Sequence, residues 1–331
     1  QLRGHGGPVR AIAVARDGET VLSGSFDTSA IRWSLKSSAA VRVLRFHDSA
    51  VNAVALLPDG RAVTGGEDGR IVVWQPGDVA PVTVFAGHTA PVAALAVSPD
   101  GRTLASASWD RTVRLWPLDG GTPRTLEGHR QNVNGVAFTP DGNAVVSVSH
   151  DPQLRIWPLD GGAPTIVTML VPLNSVTVAP DGEIVAGAAD GRVFFFSAAG
   201  EPRGEVAAVQ APIVSVAVSG DGVLVAAAGI RGSVAVIERQ SRELARTLVG
   251  PGLPVWSAAF LPDNHTLVTG GTDRVIRRWD ALTGDHFGET AMASAEDPLA
   301  AYAGDRGAEV FRACVACHAN VKSNIVTDMG Y

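Results

Sequence analysis

The chain has 331 residues, 46% of them hydrophobic, and a formal net charge of −6. That apolar content can bury a sizeable core, which excludes wholesale disorder, and the acidic balance argues against a nucleic-acid partner, whose phosphates need a basic face. No run of eighteen uncharged apolar residues occurs, so no transmembrane segment is expected; the longest apolar stretch, residues 223–237, is cut by Gly229, Arg231 and Gly232.

From its first residues the chain repeats itself with a period of about 40. One column reads Trp33, Trp74, Trp116, Trp157, Phe196, Ile237 and Trp279. Six residues earlier stand Asp27, Asp68, Asp110, Asp151, Asp190, Arg231 and Asp273. A third column is a turn aspartate, as in Asp17-Gly18, Asp59-Gly60 and Asp100-Gly101, and such pairs between apolar runs mark strand-to-strand turns. Within a copy, residues 9–14 (VRAIAV) and 92–97 (VAALAV) read as strands buried on both faces, and residues 112–116 alternate as a strand that ends at a turn. Three or four short strands per copy make a sheet too small to bury its faces alone. Neighbours must stack and the ring must close.

The first four copies also carry a histidine and a hydroxyl at nearly fixed spacing: His5/Ser23/Asp27/Trp33, His47/Thr64/Asp68/Trp74, His88/Ser106/Asp110/Trp116 and His129/Ser147/Asp151/Trp157. Copy seven keeps Thr269, Asp273 and Trp279 but has Pro251 in place of the histidine; copies five and six have lost nearly the whole set (Ala186, Ala227, Arg231). With Gly-His near the start and Trp near the end, residues 1–291 resemble WD-repeats, which implies an all-β, seven-bladed β-propeller. A Ser, His and Asp in one unit also invite a hydrolase reading. Four near-identical sets without a Gly-x-Ser-x-Gly or other oxyanion motif weigh against it. The resemblance implies instead a hydrogen-bonded chain that ties a loop to the inner strands. For the last outer strand, residues 286–290 follow Trp279 at the offset at which residues 124–128 follow Trp116, whereas residues 1–3 look too short.

By the same resemblance, the residues just before the turn-side aspartate point to the rim of one face: Phe26, Glu67, Trp109, His150, Ala189, Ile230 and Thr272. The second residue of each inner strand lies nearby: Arg10, Asn52, Ala93, Asn134, Asn174, Val214 and Trp256. Phe26, Trp109, Ile230 and Trp256 would be costly to leave in water, so with His150 they are candidates for binding a partner protein; the alternative is that they pack into neighbouring loops.

Beyond residue 291 the periodicity is gone. Residues 292–303 read as an Ala-rich linker, and residues 304–331 as the beginning of another domain. Asp305 can cap a helix that carries Val310, Phe311 and Cys314 on one side. Cys314-Val315-Ala316-Cys317-His318 is a C-x-x-C-H sequence, the attachment pattern of haem c: two thiols take the two vinyl groups, and the adjacent imidazole is the proximal iron ligand. Residues 304–318 resemble the N-terminal helix of class I c-type cytochromes. A redox dithiol, a zinc site and chance occurrence are the other readings. A dithiol lacks its βαβ setting, and zinc lacks a second ligand pair. Residues 319–331 are too few to enclose a haem, so more sequence is expected past Tyr331; Met329 is the one downstream methionine and the candidate distal ligand.

The function expected from these features is electron transfer through covalent haem c, with the propeller docking a redox partner. Haem c is attached outside the bacterial cytoplasm, so a periplasmic location follows, and the start at Gln1 is compatible with a removed signal peptide. The alternative is a non-catalytic scaffold that gathers subunits of a larger complex. An enzyme built on the central channel is a third reading, without paired carboxylates, a free His cluster or a phosphate loop to support it.

Overall fold

The computed structural model describes residues 1–285 and 287. Every regular element in them is a strand, and the strands form seven four-stranded antiparallel sheets. Each inner strand touches the inner strands of the two neighbouring sheets, so the sheets stand as the blades of a closed ring around a channel. Blades 1 to 6 each come from one continuous stretch: residues 9–45, 51–85, 92–126, 133–168, 173–207 and 213–249. Blade 7 takes its three inner strands from residues 255–280. The linker (292–303) and the cytochrome-like segment (304–331) lie outside the described residues, and with them Cys314, Cys317, His318 and Met329.

The strand borders follow from local chemistry. The first inner strands run Val9–Val14 and Val92–Val97, as the sequence pattern predicts. Each stops two or three residues before an Asp-Gly turn whose glycine has positive φ, for example Gly18 at 68° and Gly101 at 73°. The expectation that these strands are buried on both faces needs correction: most of their positions are only half-buried. One face packs in the ring, and the other lines the channel.

The core is divided into seven apolar clusters, one at each boundary between blades. One cluster joins Leu22, Ala30 and Leu44 of blade 1 to Val51, Val54 and Trp74 of blade 2. The cluster between blades 7 and 1 holds Leu2, Val9, Ile12, Trp33, Leu261 and Ile276.

Ring closure differs from the sequence expectation. The outer strand of blade 7 is assembled from both ends of the propeller. Leu2 and Arg3 pair with Ile276 and Val275. Further along the same edge, the Asp280 amide donates to the Asp285 carbonyl at 2.9 Å and the Phe287 amide to the Arg278 carbonyl at 3.1 Å. Two paired residues suffice because the Leu2 side chain is buried, 2% exposed, in the cluster between the first and last blades. Replacing Leu2 with Ala is expected to cost about 2–5 kcal/mol, as for other buried leucines, and to speed amide exchange in Val275–Asp280. Urea unfolding with hydrogen exchange checks this; unchanged protection of that strand would show that the N-terminal pairing does not close the ring.

Candidate docking face and channel mouth

In four blades the repeated residues form one hydrogen-bonded chain. In blade 3 the Trp116 indole N–H donates to Ser106 Oγ at 2.8 Å; Ser106 Oγ lies 2.6 Å from His88 Nε2, and His88 Nδ1 lies 2.7 Å from Asp110 Oδ2. The same chain runs from Trp33 to Asp27, Trp74 to Asp68 and Trp157 to Asp151. The proton positions follow from the end groups. A carboxylate only accepts, so Nδ1 carries a hydrogen; an indole N–H only donates, so the hydroxyl oxygen accepts from it and its own proton remains available to Nε2. For His5 and His129 burial also disfavours the charged ring, which leaves these two neutral. Ser23, Thr64, Ser106 and Ser147 are fully buried, so these hydroxyls have no access to a substrate and the hydrolase reading fails on geometry.

The aspartates anchor loops as well. Asp27 also accepts from the Gly6 amide, and Asp151 from the Arg130 amide, both at 2.7 Å. The glycine before the histidine is required by close approach: a Cβ on Gly4 would sit 2.9 Å from the Trp33 ring. Blade 2 has Phe46 at that place, packed edge-on to Trp74 with ring centroids 6.5 Å apart. In blade 7, which lacks the histidine, Asp273 pairs with Arg277. Blades 5 and 6 have an apolar replacement, with Ala186 and Ala227 buried beside Phe196 and Ile237. They are joined by an ionic clamp instead. Arg239 binds Asp181 at 2.7 Å and Glu183 at 2.8 Å, Arg242 also binds Glu183, and Arg242 lies over the Phe195 ring.

The rim column lies at one end of the blades. The amides of Phe26, Glu67, Trp109, His150, Ala189, Ile230 and Thr272 each donate to a carbonyl just before an inner strand, from Pro8 in blade 1 to Pro254 in blade 7. All seven second residues of the inner strands line a cavity of about 450 Å³ at the mouth of the channel on this face. Trp109, His150 and Trp256 meet there. Phe26 (46% exposed) and Ile230 (half-buried) belong to the same face but do not line the mouth, so the five candidate residues do not form one patch. Trp256 is only half-exposed. Its indole N–H donates to Thr272 Oγ1 at 3.0 Å, and the Arg10 guanidinium lies 5.4 Å from its ring centroid. His150 Nε2 lies 3.2 Å from Asn174 Oδ1.

Sequence reasoning missed Leu170, which is 96% exposed on this face. The signal was present: Leu170 stands where Gly6, Asp48, Thr89 and Arg130 follow the histidine in the other copies. Among the described residues no three His, Cys, Asp or Glu side chains cluster as a metal site would, and no helix is long and apolar enough to cross a membrane.

The WD domain, G-beta repeat model matches residues 1–34, 38–75, 79–117, 120–158 and 242–280, more than half of the chain. The chain belongs to the WD-repeat family. The unmatched stretch, residues 159–241, holds most of the two blades that lack the Trp-hydroxyl-His-Asp chain, so the family signal and the hydrogen-bonded network fade together. No curated protein sequence matches the chain significantly. WD-repeat propellers commonly mediate protein interactions, and a WD-repeat scaffold is the functional class of this chain.

The network also sets a pH dependence. Burial alone would raise Asp27, but hydrogen bonds from Ser29 and the Gly6 amide, with electrostatic attraction to His5, outweigh it and hold the carboxyl at about 2. Burial pulls His5 and His129 below their ordinary value, and Asp27 and Asp151 offset this only in part. An unfolded histidine takes up a proton near pH 6.5 that these folded ones refuse, so their contribution is intact above about pH 6.5 and lost as pH falls below it. The carboxylate contribution is intact above about pH 4 and is lost as pH falls toward 2. The melting temperature is therefore expected to be level from pH 8 to 7, to fall between about 6.5 and 5, and to fall again below about 4. Calorimetry across this range checks it; a protein more stable at pH 5 than at pH 7 would contradict the neutral-histidine assignment.

Proposed function

We propose that this WD-repeat propeller is a docking platform whose rim face binds a protein partner around the channel mouth. The observation that carries the reading is the presence on one face of Trp109 (42% exposed), Phe26 (46%) and Leu170 (96%), beside a cavity lined by Trp256 and His150. Large apolar side chains beside a partly enclosed pocket are what partner surfaces use as anchors. A double variant, Trp109→Ala with Leu170→Ser, is expected to weaken partner binding by about tenfold or more without lowering the melting temperature. Val79→Ser, an exposed site between strands of blade 2, is the control. Equal binding by the double variant and the wild type, measured with the co-purifying partner, would remove this face from the interaction.

The C-x-x-C-H sequence favours a second reading, in which the platform also carries haem c and works as a periplasmic electron-transfer protein. The donor set fits the group: Cys314 and Cys317 supply the two thiols and His318 the axial imidazole, with Met329 as the candidate distal ligand. The haem supplies one-electron redox chemistry when bound. The propeller raises the effective concentration of the redox partner near it. Expression of the full chain with a periplasmic haem-attachment system is expected to give a band that stains for haem on a denaturing gel, and Cys314→Ser with Cys317→Ser to abolish it. A wild-type band without stain leaves only the scaffold.

A further inference from the structure

The seven residues that ring the channel mouth are chemically unequal. Arg10 is the one charged residue among them, and the whole lining contains no Asp or Glu. Among the described residues the Arg10 guanidinium lies against the Trp256 ring. No described residue gives its guanidinium a hydrogen bond or a carboxylate. Burial lowers the pKa of Arg10, and no anion offsets that. Arg10 is half-buried, and a guanidinium partly withdrawn from water without an anionic partner bears a cost that an anion relieves with two parallel hydrogen bonds. Asn52, next in the ring, makes no side-chain hydrogen bond to a described residue and has a free amide donor facing the same mouth. On the other side Trp256 holds the cation in place. Glu67, the one acid in the rim column, does not line the cavity. A second cavity, lined by residues of blades 3 to 6 that include Pro99, Phe138, Pro140 and Pro180, has no charged side chain.

We infer that the channel mouth is a receptor for an acidic side chain, a Glu or Asp of the docked partner, with Arg10 and Asn52 as its donors. The inference rests on the docking reading above and names what the docked chain inserts. A polypeptide is favoured over a free small anion because Trp109 in the lining and Leu170 outside it stay exposed, and only a longer ligand covers both while its carboxylate reaches Arg10. Within the cavity lining Arg10 is the one charged side chain, so a carboxylate that enters is met there.

The test uses the full chain labelled with 5-fluorotryptophan, with the Trp256 resonance assigned by Trp256→Phe. The probes are the peptides acetyl-Leu-Glu-Leu-amide and acetyl-Leu-Gln-Leu-amide, and free glutarate. The Glu peptide is expected to shift the Trp256 resonance saturably, with affinity about tenfold or more above the Gln peptide and above glutarate. Arg10→Gln should erase the difference between the peptides, and Arg10→Lys should keep part of it. The comparison of peptides on the wild-type protein needs no variant to fold. Equal affinity for the two peptides, no binding of either, or discrimination that persists in Arg10→Gln overturns the inference. Glutarate binding as tightly as the Glu peptide overturns the assignment to a side chain. If the Trp109 and Leu170 double variant loses the partner while the two peptides bind equally, docking stands and the acidic recognition falls.

Discussion

No blade of this protein can exist alone. Each buries one side of its sheet only against a neighbour, and the seven apolar clusters all straddle a boundary between blades. A linear stack of such units would leave two wet apolar faces, so the chain must return on itself. Closure between blades 7 and 1 rests on the Leu2 and Arg3 ladder and the cluster around Leu2, while Asp285 and Phe287 bond further along the same edge. Two short pieces from distant parts of the chain thus hold what a continuous strand holds in the other six blades.

The blades solve a second problem in two ways. The loop that leads into each inner strand must be tied down on the rim face. Where the His, hydroxyl, Asp and Trp are present, a buried polar chain does this, and it is tolerable inside the protein because each donor finds an acceptor. Blades 5 and 6 remove the polar chain completely. A half-satisfied network is worse than an apolar core, so loss of the histidine favours loss of the hydroxyl too, as at Ala186 and Ala227. Blade 7 shows the intermediate case: Thr269 still accepts from Trp279 at 2.8 Å, and Arg277 takes the place of the histidine opposite Asp273.

Most of the architecture was legible because it is periodic. Seven copies of a turn aspartate and six of a terminal aromatic fix blade number, strand borders and the face to which the rim residues belong. The features that were not legible are those that occur once. Pairing of Leu2 with Ile276 leaves no pattern in a sequence, since backbone hydrogen bonds are indifferent to side-chain identity. The clamp from Arg239 to Asp181 joins residues 58 apart, outside any register of the repeat. Ile230 was grouped with the exposed aromatics by apolar character alone, and the structure leaves it half-buried and away from the mouth. Leu170 and Arg10 were readable only as departures from their columns.

Those departures are where function resides in a repeated fold. The ring supplies seven equivalent positions at the mouth, and equivalence by itself recognises nothing. At the second inner-strand position Ala93 and Val214 leave room, Asn134 and Asn174 spend their amides on the carbonyls of Leu173 and Ile213, and Trp256 is occupied by Thr272 and Arg10. Among the seven, only Asn52 and Arg10 carry side-chain donors yet make no side-chain hydrogen bond to a described residue, and they are neighbours in the ring. A symmetric framework with its hydrogen bonds satisfied at most places and left open at two adjacent ones has a direction. A ligand that enters has one orientation in which its charge is met, so the partner docks in one of seven otherwise similar registers.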